Sequence, residues 1–126
     1  MPGALDRRPT DGSWTIREIV IHLADSDLIG ADRMKRIIAE DLPLLIGYNE
    51  TRFIQRLHPE LQDIETAIAL FDLNRRQFAA VLRALSDETF DRAGIHNEAG
   101  KVTPWDQVKK YIEHFEHHLR FIEKKR

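Results

Sequence analysis

Apolar residues recur at helical spacing in three long stretches of this chain. From Trp14 to about Asp41 there is no proline, and Ile16, Ile19, Val20 and Leu23 follow the i, i+3, i+4, i+7 pattern of one buried helix face. A helix of about 25 residues is predicted there, bent near Gly30. Pro43, Gly47 and Pro59 punctuate a loop-like segment over 42–60, with room for a helical turn from Glu50 to Gln55. The pattern returns over 64–85 with Ile64, Ile68, Phe71, Phe78, Val81, Leu82 and Leu85. Residues 86–102 are turn-rich around Gly94 and Gly100. A third long helix is predicted from Pro104 to about Lys124, with Val108, Ile112, Phe115, Leu119 and Ile122 as its apolar stripe.

The helix starts are written into the chain. Thr15-Ile16-Arg17-Glu18 is a capping box, in which a hydroxyl and a carboxylate satisfy free N–H groups. Thr103-Pro104-Trp105-Asp106 repeats the logic, with proline at the first helical position and an acid in the first turn. Trp14 and Trp105 flank these starts and read as packing staples. No alternating β-branched run competes, so the fold class is all-α. A weak internal repeat is also visible. Leu5-Asp6-Arg7, Gly12, Thr15 and Val20 echo Phe90-Asp91-Arg92, Gly100, Thr103 and Val108, which suggests two equivalent helix starts about an approximate two-fold.

Composition narrows the chemistry. The 126 residues suit one domain over 1–126, and a net charge of −2 with interspersed signs gives no basic patch for nucleic acid. No apolar run approaches the roughly 20 residues of a membrane span. Cysteine is absent, which removes thiolate metal sites, disulfides and thiol nucleophiles and is compatible with a cytoplasmic setting. Imidazole and carboxylate are then the strong ligands left, and the chain has six His.

On a wheel at about 100° per residue, His118 falls about 80° from the centre of the last helix's stripe and His114 about 120° to the same side. His117 falls opposite the stripe, facing water. His22 sits about 120° from the stripe of the first helix. An i, i+4 His pair can hold one metal, and a third imidazole from a neighbouring helix would complete a three-His face with open positions for water or substrate. A polar boundary face gives the same spacing, so this pattern alone leaves both readings open. His58, before Pro59, and His96, in a turn, are expected to be exposed.

The segment from Trp14 to Asp27, reading Trp-Thr-Ile-Arg-Glu-Ile-Val-Ile-His-Leu-Ala-Asp-Ser-Asp, resembles the first-His signature of the DinB/YfiT-like superfamily. Glu113-His114-Phe115-Glu116-His117-His118-Leu119 resembles that family's closing HxxxH. Arg33, Glu40-Asp41-Leu42-Pro43 and Tyr48-Asn49-Glu50 resemble its YfiT-like branch, so the similarity runs from about residue 4 to 122. The resemblance implies a four-helix bundle with a divalent ion, nickel or zinc, on His22, His114 and His118. It implies a metal-dependent hydrolase in which the ion lowers the pKa of a bound water toward about 7. Some relatives in the family are instead thiol-dependent transferases or isomerases using bacillithiol, mycothiol or glutathione. A non-catalytic, metal-binding, dimerising module is a third possibility.

Candidate helpers are Ser26 and Arg33, on the flank of His22, together with Asp25, Tyr48 and Glu50. Asp25 lies opposite the apolar stripe, so a role in fixing a histidine tautomer competes there with simple solvation. Arg33 suits an anionic substrate group or a surface acid. In one respect the chain departs from the family pattern. The family has a long helix before the Trp-Thr-x-Arg segment, and here only 13 residues precede Trp14. Three long helices would leave an apolar bundle face open, so a homodimer is expected.

Overall fold

The structure is a computed structural model and describes residues 3–125. Four α-helices dominate it: α1 (Ile16–Ala39), the short α2 (Glu50–Arg56), α3 (Ile64–Ala84) and α4 (Pro104–Lys125). Their starts use the predicted chemistry. Thr15 Oγ1 accepts from the Glu18 amide at 3.1 Å, and Glu18 Oε1 accepts from the Thr15 amide at 2.9 Å. Thr103 and Asp106 exchange the same two bonds, at 3.1 and 3.0 Å. Asn49 and Asp63 cap α2 and α3 by accepting from Arg52 and Thr66 amides.

The sequence repeat has a structural counterpart at the opposite helix ends. Arg7, just before α1, donates from Nη2 to the Lys125 carbonyl at the end of α4, at 3.0 Å. Arg92, in the segment before α4, donates from Nε to the Ile37 carbonyl and from Nη2 to the Glu40 carbonyl at the end of α1, at 2.9 and 2.8 Å. Each arginine meets the free carbonyls and partial negative charge of the other helix's C-terminus. This reciprocal arrangement fits α1 and α4 lying antiparallel.

A small sheet occupies segments that read as irregular. β1 (Leu44–Leu45) pairs parallel with β2 (Gly94–His96), which pairs antiparallel with β3 (Gly100–Val102). Strands of two and three residues are too short to show alternation. The sheet ties 42–48 to the region before α4, and so positions Tyr48 and Glu50. It also corrects the expectation for His96, which is buried. Its Nδ1 accepts from the Glu98 and Ala99 amides at 3.0 and 3.1 Å, so the imidazole closes the β2–β3 turn.

The stripes on α3 and α4 need correcting too. Ile68, Val81, Ile112 and Leu119 are exposed, and Trp105 is 56% exposed rather than a packing staple. α4 instead turns Gln107, Tyr111, His114 and His118 toward α1, on the polar flank of its apolar stripe. The helices approach closely enough that a Cβ at Gly30 would fall within the Tyr111 ring, which is why glycine stands there. The stripe borders an open groove of about 240 Å³ between α1, α3 and α4, lined by Ala31, Met34, Phe78, Leu82, Val108 and Ile112. Ala31, Met34 and Phe78 are themselves buried, and two further cores gather Ile21, Ala24, Ile54 and Ala67 around Trp14 and Val20, and Ile37 against Leu45 and Val102 of the sheet. No described helix is long and apolar enough to cross a membrane.

Arg92→Ala removes two bonds to the α1 C-terminus. It should lower the unfolding free energy by about 1–3 kcal/mol in urea denaturation. An unchanged midpoint would show that the cap is idle.

Candidate metal centre

His22 is held by α1 and His114 and His118 by α4, one turn apart. The capping box fixes where α1 begins, and the α1–α4 packing sets the two helices in register. The three Nε2 atoms converge as a result. His114 Nε2 lies 3.0 Å from both His22 Nε2 and His118 Nε2, and a ligating nitrogen of each residue lies within 4.8 Å of the others. One imidazole nitrogen carries either one lone pair or one proton, so His114 Nε2 cannot bond well to both neighbours at once. A shared cation satisfies all three, and imidazole nitrogens around a tetrahedral ion are expected roughly 3.3 Å apart. The donor set therefore fits a divalent metal.

The electrostatics agree. Burial, followed by the neighbouring His118, brings the His22 pKa down to about 4. Burial, and then the adjacent imidazoles, lowers His114 and His118 to about 4 as well. All three are thus neutral near pH 7, the form that binds metal. Trp14 packs its ring edge-on to His22, with centroids 5.0 Å apart, and shields it from water.

Of the candidate helpers, Glu50 comes within reach of the cluster. Glu50 Oε2 sits 3.6 Å from His22 Nε2, at the start of α2. Ser26, one turn after His22, shares a hydrogen bond with the Tyr48 hydroxyl. Burial pushes the Tyr48 phenol up to about 12, so it stays protonated. Asp25 is half-buried, not fully solvated, and burial raises its carboxyl pKa. It makes no hydrogen bond to an imidazole among the described residues. Arg33, on the same face of α1 as His22, donates from Nη2 to the Ile46 carbonyl at 2.9 Å. It pairs with no surface acid among the described residues.

The remaining histidines stand apart. His58 is exposed beside Glu60, and His117 is exposed with its ring against Phe121. Sequence reasoning missed Tyr111 and Gln107, which share the α4 face of the ligand pair. Their spacing of three and seven residues before His114 was the available signal.

Comparison with known proteins supports this picture. The DinB superfamily model matches residues 2–122. A protein of Oceanobacillus iheyensis named "Putative metal-dependent hydrolase" is 30% identical over 118 residues, covering 94% of this chain and 68% of its own length. YfiT of Bacillus subtilis, carrying the same description, is 30% identical over 119 residues, covering 94% of this chain and 67% of its own. The solved structure of YfiT, titled a "probable metal-dependent hydrolase with an unusual four-helix bundle topology", superposes with a TM-score of 0.92 at 28% identity. That match covers 99% of this chain and 72% of YfiT. With its helical fold, its three converging imidazoles and this match along nearly all of its length, the chain belongs to the DinB superfamily.

Proposed function

We propose that this protein is a metal-dependent hydrolase whose ion, nickel or zinc, is held by His22, His114 and His118. The observation that carries this reading is the convergence of three neutral Nε2 atoms with no proton arrangement that satisfies them all. An all-imidazole set with no thiolate suits nickel or zinc better than magnesium or calcium. A bound ion would supply Lewis acidity and a water of lowered pKa. The chain's own groups handle the rest. The Glu50 carboxylate stands where it can take a proton at the mouth of the cluster. The Tyr48 hydroxyl, kept protonated by burial, can donate a hydrogen bond to developing negative charge once it leaves Ser26. Asp25, with its raised pKa, offers a second proton acceptor. The names of the similar proteins favour hydrolysis, and the thiol-transfer alternative enters as an arm of the activity test.

The open groove supports a further part of the proposal, that the chain self-associates as a homodimer. Light scattering on the eluting protein at micromolar concentration should give twice the chain mass, and a clean monomer would sink that reading.

Untagged protein should carry about one equivalent of nickel or zinc per chain. His118→Ala should lose it, whereas His117→Ala should retain it. Because the folded imidazoles titrate at about 4 and free histidine at about 6.5, the unfolded chain binds more protons in between. Stability of the metal-free protein should therefore fall as pH drops from 6.5 toward 4 and stay flat above 7. A wild-type protein without metal would refute the centre. Turnover of ester, amide or thiol-transfer substrates that survives His22→Ala would refute the metal-dependent mechanism.

A further inference from the structure

Arg33 is a buried cation with no anion beside it. It is 5% exposed, and no carboxylate lies within ion-pair reach among the described residues. Its guanidinium donates from Nη2 to the Ile46 carbonyl and shares a hydrogen bond with the Tyr111 hydroxyl, while its Nε is buried without a partner. The face of the Tyr48 ring, 5.9 Å from Cζ, offers cation–π attraction but no counter-charge. A guanidinium withdrawn from water needs an anion or a full set of acceptors. The fold supplies no anion and leaves Nε without an acceptor. The other buried orphan among the described residues is Gln107 Oε1, 3% exposed. Gln107 lies on the α4 face of His114 and His118, and Arg33 on the α1 face of His22. With the helices antiparallel, both orphans fall at the same end of one strip that begins at the three imidazoles.

We propose that Arg33 recognises an anionic group, a carboxylate, on the substrate of the metal centre. The proposal rests on the reading of His22, His114 and His118 as that centre. Along the strip stand the Ser26 and Tyr48 hydroxyls, one turn from His22, and the Tyr111 ring against Gly30. His22 and Arg33 are about 16 Å apart along α1, and a helical arginine leans back toward the helix N-terminus. A planar guanidinium with an unpaired Nε–H is the natural partner of a carboxylate, and this substrate charge would also balance a bound divalent ion. Arg33 is a binding residue here, and it takes no part in proton transfer.

The probes are alkyl hydroxamic acids, which bind metals through the hydroxamate, made in pairs that end in a carboxylate or a methyl group over a graded series of chain lengths. Affinities for the zinc-loaded protein are read by calorimetry, with acetohydroxamic acid as the reference. At an intermediate length the carboxylate member should bind about tenfold or more tightly than its methyl partner. In Arg33→Gln, which can still donate to the Ile46 carbonyl, the ratio within the pair should collapse to about one. Equal affinities in the wild type at every length would overturn the proposal, and so would a preference that persists in Arg33→Gln. Should that variant fail to fold, the wild-type series alone decides. Failure of acetohydroxamic acid to bind would instead overturn the metal centre, and this proposal with it.

Discussion

Three imidazole nitrogens crowd together because α1 and α4 pack face to face. The two helices lie so close that only glycine fits at position 30 against the Tyr111 ring. The Thr15–Glu18 and Thr103–Asp106 boxes fix where each helix begins, and Arg7 and Arg92 tie each helix end to the start of the other. With both ends anchored, the register along the contact is set. His22 then meets the i, i+4 pair, with Trp14 and Glu50 beside it. The same register lays Ser26, Gly30 and Arg33 along one side, with Tyr111 and Gln107 along the other.

This geometry concentrates electrostatic demand in a narrow strip. The buried imidazoles resist protonation, so a bound cation is the way to satisfy their converging lone pairs. A cation there, together with Arg33, leaves a surplus of positive charge that Glu50 and Asp25 offset only at the mouth. An anionic substrate would complete the balance. Stability and function therefore pull in opposite directions along the α1–α4 contact. The strip holds polar groups without full partners, while the Asp27–Arg75 pair, bonded at 2.9 Å with Asn74 beside it, joins α1 to α3 with its polar groups matched.

Much of this was legible in the sequence, because capping boxes and helical periodicity are local signals. Thr15, Glu18, Thr103 and Asp106 announce the helix starts, and the wheel sorts His22, His114 and His118 from His117. The illegible parts depend on what lies across from a residue. His96 looked like a turn residue in water, yet its ring caps a turn whose strands are too short to leave a pattern. Ile112 and Leu119 looked like core, yet both are exposed, Ile112 beside an open groove. An apolar stripe says that a face seeks cover, not whether this stretch of chain provides it. Asp25 falls opposite the apolar stripe on the wheel, but the surrounding chain half-buries it.

The central claim is that His22, His114 and His118 hold one metal ion through Nε2. Anomalous diffraction from crystals of the metal-loaded protein, collected on both sides of the nickel or zinc absorption edge, tests it most directly. A single strong peak per chain, within bonding distance of the three Nε2 atoms, is the expected result. A peak located elsewhere, or three imidazoles hydrogen-bonded to water with no ion between them, would contradict it.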